Sequence, residues 1–254
     1  MLLVCGNAGD PLIDAIHDLD QRGESAIRSC SEAELFGSIG LALELDRESV
    51  CGRLQIENES VAFTELDGIV LRLPRTWWPE DGFDLQDQMF VYHETLATWF
   101  ALLQSIRCPV VNRFGLGWWL QDLGYPMELQ TSLGEAIHLS LAEPEYNNNL
   151  IHGRLVSTRR SSANSVYRAG GETFAVPECN REILKYLAHH GQELQRWEEN
   201  SGIILSRLDF DTSGDLRLTG VEASPLFNEE DPELVKKVAG ALLQCMIRHQ
   251  EVPA

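Results

Sequence analysis

The first eleven residues constrain this chain more than any other stretch. Leu2–Cys5 is a short, uninterrupted apolar run, followed by Gly6-Asn7-Ala8-Gly9-Asp10 and then Pro11. A continuous apolar run without alternation suits a strand buried on both faces of a parallel sheet. Glycine and asparagine make the tight turn, Asp10 is placed to cap a helix, and Pro11 suits the first helical position, where no backbone donor is needed. The spacing predicts a helix running to Arg22 and stopped by Gly23, with Leu12, Ile13, Ile16 and Leu19 facing inward. A second strand follows at Ala26–Cys30. Strand, helix and parallel strand together open a doubly wound sheet, so the fold class is α/β.

The same reading extends along the chain. Leu41–Asp46, Val50–Glu57 and Val61–Thr64 alternate between apolar and polar residues with turn residues between them, which predicts an antiparallel meander. Gly68–Leu73 is a further buried strand, ended by Pro74. Gln86–Arg107 has the length and period of a helix, with Phe90, Leu96, Phe100 and Leu103 turned inward, and Pro109–Asn112 is the strand after it. Weaker signals place a short helix through Trp118 and Trp119, a strand near Met127–Leu129 and a helix near Leu133–Leu141. Strands are expected at Leu150–Thr158 and Val166–Ala169, and one helix over Asn180–Glu198. Ile203–Phe210 and Leu216–Glu222 are strands around the turn Thr212–Asp215. The closing helix is Asp231–Arg248, capped by Asp231, with Leu234, Val235, Val238, Leu242 and Met246 inward.

Composition narrows the partners. Twenty basic against thirty-nine acidic residues give a formal net charge of −19. Nucleic acid is excluded as a partner, because binding it requires basic groups that displace counterions. An anionic membrane surface is excluded on the same ground. A cationic peptide or partner protein is attracted instead. The six cysteines are scattered and show no CxxC or Cys/His spacing, which reads as reduced thiols in a cytoplasmic protein. The start of the chain lacks a basic region ahead of its apolar run, so no signal peptide is expected.

Three segments in this order resemble the ATP-grasp superfamily, and within it the RimK-like, peptide-modifying branch of carboxylate–amine ligases. The first joins the strand–turn–helix opening to Gly52-Arg53-Leu54-Gln55-Ile56-Glu57 and Leu66-Asp67-Gly68-Ile69-Val70-Leu71-Arg72-Leu73-Pro74-Arg75, where those ligases similarly place G-x-L and V-W-x-R-R-P before a long helix. The second is Cys108-Pro109-Val110-Val111-Asn112, similar to the family's W-V-N strand. The third is Leu208-Asp209-Phe210 followed by Val221-Glu222-Ala223-Ser224-Pro225, similar to a metal-binding end with Asp on one strand and E-V-N-P on the next. The resemblance implies a pre-ATP-grasp-like domain over residues 1–113 and a reduced ATP-grasp-like domain over 114–254. It also implies ATP and Mg²⁺ as cofactors.

Two departures bear on that implication. The chain has three lysines, Lys185, Lys236 and Lys237, so residues 75–184 hold none. The resemblance implies a mobile middle subdomain whose lysines and glycine-rich loop close over ATP, and Phe114–Asn149 offers neither. Ser224 stands where the family places a ligating asparagine.

The candidate residues follow. Asp209 and Glu222 are hard-oxygen donors on adjacent strands, suited to Mg²⁺. Arg154, Arg159, Arg160 and Arg168 form the densest basic cluster; the resemblance assigns arginines on these strands to the substrate and the acyl-phosphate, which makes Arg159 and Arg160 the catalytic candidates. Arg72 and Arg75 flank Pro74 at the carboxyl end of a strand, where α/β sheets place ligands, and the neighbouring Trp77 and Trp78 could clamp one. His93-Glu94, His189-His190 and Ser161-Ser162 lack metal-ligand or nucleophile-elbow spacing. Two functions of different class fit. One is a binding subunit with an incomplete nucleotide site, recognising a peptide or protein. The other is an ATP- and Mg²⁺-dependent carboxylate–amine ligase acting on a peptide, with missing lysines supplied by a companion subunit or by the last third of a second copy.

Overall fold

The computed structural model describes residues 1–6, 9–19, 27–31, 34, 40–45, 50–56, 59–72, 84–111, 125–142, 147–151, 154–158, 164–223, 225, 227 and 231–248. The chain divides into two compact units, one made of Met1–Gly115 with Phe227–Ala254 and the other of Leu116–Leu226.

In the first unit, β1 (Leu2–Gly6), β2 (Ile27–Cys30), β6 (Gly68–Arg72) and β7 (Val110–Val111) form a sheet in the order β2-β1-β6-β7. All three pairings are parallel. Chain order departs to one side from β1 to β2 and returns on the other at β6, so the switch point lies between β1 and β6. Helix α1 (Pro11–Leu19) starts as expected: Asp10 Oδ1 accepts the backbone N–H of Leu12 at 2.9 Å. Leu12, Ile13 and Ile16 are buried. Leu19 is 37% exposed, so the inward stripe ends one turn earlier than its period suggested.

The closing helix α6 (Pro232–Arg248) packs against α1, and its five expected inward residues are all buried. Asp231 Oδ1 caps it by accepting from the Leu234 N–H at 3.0 Å. The Met246 sulfur lies so close to Gly68 that a Cβ there would come within 2.1 Å of it. This packing explains why the closing helix groups with the first unit, although its place in sequence suggested the second half.

The meander is present as β3 (Gly40–Leu45), β4 (Val50–Ile56) and β5 (Glu59–Ala62). Helix α2 (Leu85–Ser105) is capped by Asp84, which accepts from the backbone of Gln86 and Asp87. Trp99, Leu102 and Leu103 are buried, whereas Phe90 is 65% exposed and Leu85 and Met89 are exposed with it. The expectation that Phe90 points inward is therefore corrected: the core stripe of α2 belongs to its second half.

The second unit holds a four-stranded antiparallel sheet, β11-β10-β12-β13, formed by β10 (Ser165–Ala169), β11 (Glu172–Ala175), β12 (Leu205–Asp211) and β13 (Arg217–Ala223). Gly170 and Gly171, both at positive φ, turn β10 into β11, as a Gly-Gly hairpin requires. Three helices bury their apolar stripes with this sheet: α3 (Tyr125–Ala136), α4 (Arg181–His189) and α5 (Gly191–Ser201). Met127–Leu129 is helical rather than the expected strand, because Leu129, Leu133 and Ile137 recur at helical spacing and all enter the core. The single helix expected over Asn180–Glu198 is two, meeting at His190. The strand expected at Leu150–Thr158 is a hairpin of β8 (Asn147–Ile151) and β9 (Arg154–Thr158). The helix expected at Trp118 and Trp119 lies outside the described residues.

Candidate functional site

Two places gather the candidate residues, one in each unit. In the second unit the strand period builds the site. Arg207 and Asp209 alternate with Leu208 along β12, so they leave the sheet on the face opposite to the core residues Leu208 and Phe210. The register sets Glu222 of β13 opposite Arg207, and Ser165 and Tyr167 of β10 opposite Asp209 and Arg207. A bulge lies beside Asp209, where Asp209 pairs with Gly220 but Phe210 pairs with Leu218. Bulges of this kind re-aim side chains next to functional sites.

The geometry is tight. Arg207 Nε lies 3.2 Å from Asp209 Oδ1, and its Nη2 lies 2.9 Å from Glu222 Oε2. Ser165 Oγ donates to Asp209 Oδ1 at 2.6 Å. The Arg207 and Asp209 side chains are 4% and 7% exposed. Burial opposes the Arg207 charge, but Asp209, Glu222 and Tyr167 outweigh it and hold its pKa above the ordinary value. Burial raises the Tyr167 phenol, with Arg207 pulling the other way. Asp209 and Glu222 thus stand together with a guanidinium between them. Among the described residues, no group of three or more His, Cys, Asp or Glu side chains could hold a metal ion. As arranged, these residues do not fit Mg²⁺, because both Asp209 oxygens and Glu222 Oε2 face Arg207. Ser224 lies outside the described residues.

Arg207 was missed in the sequence. The signal was present: an arginine two positions before Asp209 shares its face of the strand. Arg168 needs the opposite correction. Its sequence neighbourhood groups it with an anion-binding face, but its strand parity turns it to the side of Leu208. There it forms a two-pronged pair with Glu198 of α5, Nε to Oε1 and Nη2 to Oε2 both at 2.8 Å, and its Nη1 donates to Thr173 Oγ1. Arg154 lies on β9, and its side chain is outside the description, as are Arg159 and Arg160 entirely.

In the first unit, Arg72 ends β6 beside Gly6 at the end of β1, the switch point of the sheet. Its side chain is 2% exposed, and Nε donates to Asp10 Oδ2 at 2.9 Å, so Asp10 both caps α1 and neutralises Arg72. The guanidinium carbon lies 5.7 Å from the centre of the Phe227 ring. Its Nη2 is buried without a hydrogen-bond partner. Arg75, Trp77 and Trp78 lie outside the described residues.

No family model and no curated protein matches the sequence. Solved structures do match over nearly the whole chain. The macrocyclase MdnC of Microcystis aeruginosa, bound with precursor peptide MdnA, aligns over 98% of this chain and 99% of its own, at 10% identity and a TM-score of 0.63. The macrocyclase MdnB of the same organism aligns over 100% and 99%, at 15% identity and a TM-score of 0.59. A RiPP-associated ATP-grasp ligase of Chryseobacterium gregarium, in complex with ADP and a leader and core peptide, aligns over 99% and 97%, at 9% identity and a TM-score of 0.64.

The chain has an ATP-grasp fold. Within that fold, the likeness lies with peptide-modifying ligases, as the order of motifs implied. The ATP-grasp fold also accounts for the α/β class. Among the described residues, no helix is long and apolar enough to cross a membrane.

Proposed function

We propose that this chain is a binding protein of ATP-grasp fold that recognises a peptide, free or as a segment of a partner protein, and performs no nucleotide chemistry alone. One observation carries the reading. The three buried arginines among the described residues are each already paired with carboxylates of the same unit: Arg72 with Asp10, Arg168 with Glu198, and Arg207 with Asp209 and Glu222. A triphosphate needs uncommitted positive charge, and the chain has no lysine before Lys185. Paired arginines still donate hydrogen bonds, which suits the neutral carbonyls and single carboxylates of a peptide. Arg72 is the best placed of them: its unpartnered Nη2 at the switch point takes an acceptor oxygen of the ligand, beside the Phe227 ring. Arg75, Trp77, Trp78 and Arg154 complete the proposed peptide contacts. The net charge of −19 favours a cationic peptide, and two of the solved proteins sharing this fold were captured with peptides, MdnC with a precursor peptide and the Chryseobacterium ligase with a leader and core peptide.

A second reading has its own support. Asp209 and Glu222 sit on one face of neighbouring strands, the arrangement a ligase would need once Arg207 moved aside. In that reading the chain joins a carboxylate to an amine with ATP and Mg²⁺, Arg159 and Arg160 hold the acyl-phosphate, and a companion subunit supplies the lysines.

Two measurements separate them. Millimolar ATP with Mg²⁺ leaves the melting temperature of a binding protein unchanged and raises that of an enzyme with a nucleotide site. Tagged chain purified from its native host brings down a peptide or companion protein under the first reading, and that recovery is lost in Arg72→Ala. Absence of any companion, together with a nucleotide-induced shift, overturns it in favour of the ligase.

A further inference from the structure

Arg207 stands where a divalent ion would have to stand, and we propose that it is the permanent cation of this site, holding Asp209 and Glu222 together and excluding Mg²⁺ and Mn²⁺ from them. A magnesium ion needs oxygen ligands at about 2.1 Å in near-octahedral array. Here Asp209 Oδ1 already accepts from Ser165 Oγ at 2.6 Å and faces Arg207 Nε at 3.2 Å, while Oδ2 lies 3.4 Å from the same Nε. Glu222 Oε2 is held by Nη2 at 2.9 Å. One planar guanidinium therefore bridges both carboxylates, each through a different nitrogen, a task that its forked shape performs and a lysine ammonium does not.

Three features make the arrangement durable. The guanidinium does not lose its proton in a protein, so its charge does not depend on pH. Strand register places Glu222 and Tyr167 directly across from Arg207 on its two neighbours, so the bridge is built into the sheet rather than into a loop. Finally, Arg207 is buried, and admitting a metal means removing it from both partners while it stays surrounded by protein. The inference concerns the ion alone and stands whether or not the chain binds a peptide.

Manganese binding, followed by electron paramagnetic resonance and by thermal unfolding, tests it on the full chain. Wild type and Glu222→Gln give the same Mn²⁺ titration, because neither carboxylate of the bridge takes the ion, and millimolar Mg²⁺ does not move the wild-type melting temperature. Arg207→Met melts lower, gains a saturable Mn²⁺ site and recovers melting temperature when Mn²⁺ is added. Both gains disappear when Asp209→Asn and Glu222→Gln are added to it. A wild-type Mn²⁺ site that Glu222→Gln weakens overturns the proposal, as does a folded Arg207→Met that binds no more metal than wild type. If Arg207→Met does not fold even with Mn²⁺, the comparison of wild type with Glu222→Gln decides alone.

Discussion

Gly6 and Arg72 face each other at the carboxyl ends of β1 and β6, so closely that a Cβ on Gly6 would come 2.9 Å from the Arg72 Cβ and 2.5 Å from the Ile13 Cδ1. The turn that opens the chain and the arginine that ends the neighbouring strand are one packed unit. Gly6→Ala should lower stability by about 1–3 kcal/mol, the usual range for overpacking. Gly191, which has open space around its Cβ position at the start of α5, is the control. Gly191→Ala should be neutral or slightly stabilising in urea unfolding.

Arg168 is held by Glu198 and Thr173. Its two-pronged pair with Glu198 is buried, so removing one partner strands a charge. Arg168→Met or Glu198→Gln alone should each destabilise by roughly 3–5 kcal/mol. Replacing both should cost clearly less than the sum, because the stranded charge disappears. Partner binding in the surviving folded fraction should be unchanged. Additive losses in the double variant would contradict this assignment.

Phe90 should be replaceable. It is 65% exposed on the first half of α2, so Phe90→Gln should change stability by no more than about 0.5 kcal/mol. A loss of several times that in urea unfolding would restore the inward placement its helical spacing suggested.

Stability should decline in alkali. Burial raises Cys5 well above 9.0, helped by Cys30, and burial raises Tyr167 above 10.0. Both groups stay neutral in the folded chain after they have ionised in the unfolded one. Between the two pKa values the unfolded state therefore binds fewer protons, and the unfolding free energy falls as pH rises. The contribution is complete below pH 9.0 and is lost above it, first through Cys5 and then through Tyr167. Urea midpoints measured across pH 8 to 11 should fall in that order, and Tyr167→Phe should blunt the upper part of the decline.

The same burial protects the thiols. Cys5 and Cys30 sit opposite each other on β1 and β2 with their sulfurs 3.0 Å apart. Reagent that titrates accessible thiols at pH 8 should leave this pair unmodified until the chain unfolds. Labelling of Cys5 at the native rate of an exposed cysteine would show that β1 opens.

Much of this architecture was legible because it is written in short-range patterns. Asp10-Pro11 and Asp231-Pro232 marked two helix starts to the residue, and the apolar runs of β1 and β6 marked a parallel sheet. Where several patterns compete, legibility fell. Met127–Leu129 is apolar enough for a strand, and only its continuation through Leu133 and Ile137 reveals a helix. The closing helix carries no local mark of the unit it joins, since its packing on α1 is a contact across more than two hundred residues. In the candidate site, Asp209 and Glu222 could be found by motif order, but not the cation between them. That depends on register, which sets Glu222 opposite Arg207, and on strand parity, which separates Arg207 from Arg168 although both belong to neighbouring strands.

Equilibrium dialysis of the full chain against labelled ATP with Mg²⁺ tests the central claim most directly. If every buried arginine of the described core is spent on a carboxylate and no lysine precedes Lys185, the nucleotide should distribute equally across the membrane, and Asp209→Asn should change nothing. Saturable retention of ATP on the protein side, weakened by Asp209→Asn or Glu222→Gln, would contradict the account.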